Sequence, residues 1–313
     1  GPMVNVNVTA PGATLAMGLM FLRTNNAAVA SRLAIPNSFF LLDYCRPDFV
    51  LLRVLARNMV MWDAMEPTLD WVTQQVPPVI QRAIRSSAAR RGPLSPLAQW
   101  ISKAADEDDD DDDIEAEPDL DDEEVDVESM QLTMYNIAAG ACMALALRYA
   151  GTANARAFKI MMEYIGRFRK IEPSKTDRPT LETCLVVCCM SMSVVMAGTG
   201  NVDGLRVLRA LRGRVEAEVS YGHHLGLHMA IGFMFLGGGC CTFSNSNEAV
   251  VALVTALYPR FPSTPSDNSF HLQALRHLYV LAVEDRSLRT YDADNGKPCY
   301  APIVVECKDG SIR

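Results

Sequence analysis

Apolar residues recur three and four positions apart over Ala155–Ile165, Val202–Leu211 and Glu248–Tyr258, so each segment predicts a helix with one buried face. A stretch of another kind precedes each of them. There, small residues stand at i and i+4 (Gly140/Ala144, Gly226/Ala230, and near the start of the chain Gly12/Ala16) while bulky residues fill the opposite side. Glycine inside a helix costs about 1 kcal/mol relative to alanine, and its return at one register predicts close approach of neighbouring helices there.

The stretches are copies of one another. Gly140-Ala141, Ala144-Leu145, Leu147, Tyr149 and Gly151-Thr-Ala-Asn154 recur, at a constant offset, as Gly12-Ala13, Ala16-Met17, Leu19, Phe21 and Arg23-Thr-Asn-Asn26. They return as Val187-Cys188, Ser191-Met192, Val194, Met196 and Gly198-Thr-Gly-Asn201, and again as Gly226-Leu227, Ala230-Ile231, Phe233, Phe235 and Gly237-Gly238, this last with an insertion before Asn247. In the copy at Val187, Val187 and Ser191 replace the small pair, which makes close approach weaker there. The Gly-Thr-x-Asn turn ends the first helix, and Asn154 and Asn201 are suited to cap the second, with Asn26 at the same repeat position.

Two degenerate copies share the placing of Leu52-Arg53 and Leu275-Arg276, with anchors near Leu51 and Ala274. With Ile84–Met130 set aside as an insertion, all anchors fall about 40 to 48 residues apart, the period of helix-pair solenoids. The expected division is therefore a repeat array over 1–83, an insertion over 84–130, the array resumed over 131–289, and a small β element beginning at 290–313, where Tyr291–Tyr300 and Ile303–Cys307 read as turn and strand. The fold class is all-α, an α–α superhelix of helix-pair repeats.

Charge sharpens this division. The chain of 313 residues carries a formal net charge of −8, yet Asp106–Glu128 holds 17 of its 37 acidic residues and no Lys or Arg. The remainder has 20 acidic against 29 basic residues. Such an acidic run cannot offset the entropy of ordering and predicts a disordered, solvated linker from about Arg85 to Glu128, with Ser95-Pro96 open to a proline-directed kinase. The basic surplus is scattered rather than gathered into a groove, which argues against nucleic acid. The nine cysteines include Cys184, Cys188 and Cys189 at helical spacing in an apolar stretch, as in a reducing, intracellular compartment. The uncharged run Thr183–Val202 approaches membrane-span length but contains polar residues and breaks at Gly198-Thr-Gly200, so a buried helix and no membrane is expected. No secretory signal opens the chain, and Gly1-Pro2 resembles a cleavage scar.

Candidate chemistry is thin. His224 and His228 lie one helical turn apart, but His-Leu-Gly-Leu-His offers no general base and no third ligand, so packing is the expected role. Gly237-Gly-Gly239 lacks phosphate-loop spacing and falls at a repeat turn. Cys240 and Cys241 have no assignable activating partner. No catalytic residue, cofactor or metal is assigned. The important positions are structural: Gly12, Ala16, Asn26, Gly140, Ala144, Gly151, Asn154, Gly198, Asn201, Gly226, Ala230 and Gly237.

The pattern over Gly140–Asn154 resembles the proteasome/cyclosome repeat, shared by the two largest non-ATPase subunits of the proteasome regulatory particle and the largest subunit of the anaphase-promoting complex. Thr9–Ala16, Leu181–Leu185, Tyr221–His224, His228–Gly232, Phe235–Gly239, His271–Ala282 and Pro298–Tyr300 are similar to the cyclosome branch. That resemblance implies a toroidal superhelix of two concentric helix layers, of which these copies form a part, in a non-catalytic scaffold of a cullin–RING ubiquitin ligase acting in nucleus and cytoplasm. The implied partners are other subunits of the anaphase-promoting complex and its substrate-recruiting coactivator. The proteasome relatives imply another reading, a module that binds ubiquitin-like proteins or peptides on its outer surface.

Overall fold

A computed structural model describes residues 5–91, 126–171, 178–215, 219–286 and 290–299. Inner helices follow one another as α1 (Val6–Met20), α4 (Pro47–Val60), α7 (Val127–Arg148), α9 (Arg178–Val195) and α11 (Tyr221–Met234), each packed on the next. The helices between them are α2 (Ala27–Arg32), α3 (Phe39–Asp43), α5 (Leu69–Thr73), α6 (Pro78–Arg91), α8 (Ala155–Phe168) and α10 (Val202–Arg212), and α12 (Asn247–Ala256) follows the last of them. The outer layer is offset by one unit. α2 covers α4, α5 and α6 cover α7, α8 packs chiefly on α9, and α10 on α11.

The two layers differ as their sequences require. α7 is buried almost continuously from Thr133 to Leu147, because neighbours press on it from both sides and from the outer layer. α8 buries only the stripe Ala157, Ile160, Met161, Tyr164, Ile165 and Phe168, and water meets its other face. α7 and α9 are long and apolar enough to cross a membrane, and both are buried inside the helical array.

Three expectations need correction. The insertion does not begin at Ile84 or end at Met130: α6 runs on to Arg91 with Ile84 fully buried, and Met130 belongs to the core at the start of α7. Val79, Ile80, Ala83 and Ile84 carry the apolar period into the Arg/Ser-rich stretch, and Asp126 caps α7 by accepting from the Ser129 N–H at 3.2 Å. The rest of the acidic run lies outside the described residues.

Secondly, the sixth copy is not an α-helix but a 3₁₀ helix, Phe270–Ala282, packed on α12. With three residues per turn, Gln273, Arg276, Tyr279 and Ala282 form one inward row, while Leu275, Leu278 and Leu281 form an exposed one. Thirdly, an unforeseen strand β1 (Cys241–Phe243), in the insertion of the fifth copy, pairs antiparallel with β2 (Val283–Asp285). The terminal β element is present as a hairpin of β3 (Thr290–Tyr291) and β4 (Pro298–Cys299), and Ile303–Cys307 lies outside the described residues.

Candidate functional site

The repeat turn is the best-defined local device. Arg23 and Asn25, Gly151 and Ala153, and Gly198 and Gly200 all have left-handed backbone at the first and third positions of the turn. Their N–H groups donate to the last two carbonyls of the next inner helix: Arg23 and Asn25 to Met59 and Val60, Gly151 and Ala153 to Val194 and Val195, Gly198 and Gly200 to Phe233 and Met234, at 2.8 to 3.0 Å. Helix C-termini leave such carbonyls without partners, so each turn caps its neighbour as well as ending its own helix. The threonine hydroxyls of Thr24, Thr152 and Thr199 bond back to Phe21, Tyr149 and Met196. Asn26, Asn154 and Asn201 then cap α2, α8 and α10.

β1 lies across these turns as a strap. A Cβ on Gly151 would stand 2.1 Å from the Phe243 carbonyl oxygen, and one on Gly198 2.0 Å from that of Cys241. Thr242 Oγ1 is 3.2 Å from the carbonyls of both Gly151 and Ala197, and shares its proton between them. Beyond the strand, Asn245 Nδ2 donates to the Arg148 carbonyl at 3.0 Å, Arg23 donates to the Asn245 carbonyl, and Arg286 to that of Gly198. In the fifth copy itself, Gly237 keeps the left-handed turn and its Cβ position abuts Cys241 Sγ, but a strand follows instead of a capped helix.

The small-residue register holds at two of its three places. A Cβ on Gly140 would lie 2.7 Å from the Leu51 carbonyl oxygen of α4, and one on Gly226 2.4 Å from Val186 Cγ1 of α9; Ala144 and Ala230 are buried beside them. On α1 the close contact belongs to Gly18, whose Cβ position is 2.8 Å from Ala56 Cα. Gly12 and Ala16 are exposed, and nothing stands within 4 Å of the Gly12 Cβ position. The small pair there faces a groove.

That groove is a cavity of about 700 Å³ between α1, the end of α12 and the 3₁₀ helix, so the first and last units of the array share it. Pro11, Gly12, Leu15, Ala16 and Leu19 form one wall; Val254, Tyr258, Leu272 and Leu275 form much of the other, with Arg46, Arg260 and Arg276 among its polar lining. Arg276 is buried, and among the described residues no carboxylate pairs with it. Its guanidinium donates to the carbonyls of Ala256, Tyr258 and Arg260 at 3.0 to 3.1 Å, and burial lowers its pKa to about 10. Arg53 does the same for α2, donating to the carbonyls of Arg32 and Ala34 at 2.9 Å. The likeness of Leu52-Arg53 to Leu275-Arg276 in the sequence is thus one physical task, a cation set against the negative end of a helix dipole.

The family model of the APC1 fifth domain matches residues 1–284, a span that takes in the turns, the strap and the groove. The chain belongs to this family. It is 45% identical over 96% of its length to anaphase-promoting complex subunit 1 of Dictyostelium discoideum, and 39% identical over 98% to that of Homo sapiens. A protein of Emericella nidulans named negative regulator of mitosis is 36% identical over 96% of the chain. The chain spans 14%, 15% and 13% of the lengths of these relatives.

In this APC1 fifth-domain chain the histidine built into the fold is neither His224 nor His228. It is His223, whose backbone N–H donates to Ser220 Oγ while its Nδ1 accepts from the Ser220 N–H, closing a reciprocal cap on α11. With Nδ1 accepting, the proton sits on Nε2, 3.2 Å from Thr183 Oγ1, and burial lowers the pKa to about 4. Sequence reasoning passed over it, although Ser220-Tyr-Gly-His223 carries the spacing of a capping box. Among the described residues no three His, Cys, Asp or Glu side chains converge as metal ligands. Burial pushes the Cys184, Cys188 and Cys189 thiols up, which keeps them protonated in the core, and Cys240 is exposed in a turn. Buried Glu182 and half-buried Arg214 form an ion pair, bidentate at 2.6 and 2.8 Å, that ties α9 to the end of α10.

Proposed function

We propose that this chain is a rigid, non-catalytic scaffold segment of the anaphase-promoting complex, and that its role is to hold other subunits and the substrate-recruiting coactivator at fixed separation. The observation that carries the reading is its membership in the APC1 fifth-domain family across the whole repeat array. The geometry supports it: a solenoid whose units contact their neighbours leaves a long surface free for partners, and here turns, arginine caps and a strap stiffen the array. Mutations in the array should then change how much complex assembles, with ubiquitin transfer per assembled complex unchanged. The test is co-purification of the full-length subunit with the other subunits, followed by a transfer assay normalised to assembled complex. A packing variant that assembles normally yet transfers nothing would contradict the reading.

A further inference from the structure

We infer that the basic outer layer made by α6, α8 and α10 is a docking surface for an acidic chain segment, and that its occupant is the protein's own acidic run, Asp106–Glu124.

The fold gathers charge that is scattered along the sequence. α6, α8 and α10, with the two residues that follow each of the last two, carry 13 Lys and Arg against Glu163 and Asp203 alone. Over the rest of the described residues the balance is reversed, 11 basic to 14 acidic. Arg156, Lys159, Arg169, Lys170, Arg209 and Arg212 are exposed, and among the described residues no carboxylate pairs with any of them. The two acids are already engaged, Glu163 with Arg167 and Asp203 with Arg206. Helix dipoles account for cations in a last turn, such as Arg209 and Arg212. They do not account for Arg156 in the first turn of α8, where a cation is disfavoured, or for Arg82 and Lys159 inside their helices. The layer is one field rather than several, because α8 and α10 both touch α9, and Arg169 and Arg214 both act on the buried Cys189 thiol of that helix.

Chain connectivity names the occupant. Residues 92–125 depart from α6, a helix of the basic layer itself, and rejoin the chain at the Asp126 cap of α7, on which α6 packs. Tyr135 of α7 meets Phe168 of α8 with ring centres 6.0 Å apart. Asp126 therefore stands about 14 Å along the α7 axis from the level at which Arg169 and Lys170 leave α8. Between Asp106 and Glu124 lie 15 carboxylates, and an extended chain covers about 3.3 Å per residue, so the run is long enough to follow both α8 and α10. Held by the chain at both ends, it faces the layer at an effective concentration of about millimolar. An acidic segment of any other polypeptide must displace it, so the run decides what the layer admits.

The test is zero-length carbodiimide coupling of carboxylates to amines in the purified complex that contains the full-length subunit, read by mass spectrometry. The expected products join Lys159 and Lys170 to Asp or Glu within 106–124. Raising the salt from about 0.1 M to about 1 M shortens the screening length from about 10 Å to about 3 Å and should lower these products at least about fivefold. Arg156→Gln, Arg169→Gln, Arg209→Gln and Arg212→Gln together leave both lysines and every carboxylate in place, and should lower the products about as much with the melting temperature unchanged. Products that persist at high salt, or in the folded variant, mark a tethered chain meeting the nearest amines and overturn the inference. Lysines coupled to carboxylates of another subunit, or not coupled at all, overturn it as well. The salt series needs no substitution and decides the outcome if the variant does not fold.

Discussion

The guanidinium of Arg23 donates to the backbone carbonyl of Asn245, 222 positions later in the chain, while its Cζ lies over the ring of Trp62, 4.3 Å from the ring centre. One side chain therefore joins the first unit, the second and the strap. Asn245 continues the circuit to Arg148 at the end of α7. These contacts span most of the described array, and they make the strap the place where its stiffness is most exposed to mutation.

Removing the strap's central hydroxyl should show this. Thr242→Val keeps the shape of the side chain but strips two carbonyls, those of Gly151 and Ala197, of the hydroxyl that donates to them. We expect a loss of about 1–3 kcal/mol, read as a lower denaturant midpoint, with Thr242→Ser close to the original. Equal midpoints for the two variants would mean that the hydroxyl contributes nothing.

Two glycines separate turn strain from helix propensity. Gly198→Ala adds a Cβ 2.0 Å from the Cys241 carbonyl oxygen at a residue with φ of +71°, and should cost about 3 kcal/mol or more. Gly12→Ala meets nothing within 4 Å and should be neutral or stabilise α1 by up to about 1 kcal/mol. Thermal unfolding of the two variants side by side checks the ranking.

The two arginine caps should differ in the same way as their burial. Arg276→Gln removes a buried guanidinium from three carbonyls and should destabilise by about 2–3 kcal/mol, whereas Arg53→Gln, half-exposed, should cost about 1 kcal/mol. Urea midpoints compared at constant m-value test the order.

His223 predicts an acid limb in the stability profile. Its folded pKa is lowered from 6.5 to about 4, so between those values the unfolded chain binds a proton that the folded chain refuses. Stability should fall as pH drops from about 6.5 to about 4, by up to about 3 kcal/mol, and this contribution should flatten below that range. His223→Gln should remove this part of the slope when ΔG is measured across pH.

The array was legible in the sequence where one residue does one local job. Gly-Thr-x-Asn at 151–154 and 198–201 announces a helix end, a left-handed bend and an N-cap, all set by residues next to one another. What those turns do for their neighbours was not legible, because a backbone N–H leaves no trace in residue identity. Gly12 and Gly18 sit on the same short helix, and composition cannot tell which of them touches Ala56. The strap was visible only as extra residues before Asn247, since Thr242 acts on carbonyls 91 and 45 positions away. The row Leu272, Leu275, Leu278 and Leu281 did carry the three-residue period of the 3₁₀ helix, but an α-helix tolerates leucine equally well and the spacing alone did not decide.

The central claim, that this chain works through packing and surface without chemistry of its own, is tested most directly by two substitutions two positions apart on α11. Gly226→Leu drives a side chain into Val186, already 2.4 Å from where a Cβ would stand, at a typical overpacking cost of about 1–3 kcal/mol; His224→Gln changes a half-exposed residue outside the packed face. Each is placed in the full-length subunit, co-purified with the remaining subunits and assayed for ubiquitin transfer. The account predicts that Gly226→Leu lowers assembly and transfer together while His224→Gln leaves both unchanged; loss of transfer in the His224→Gln complex with assembly intact would contradict it.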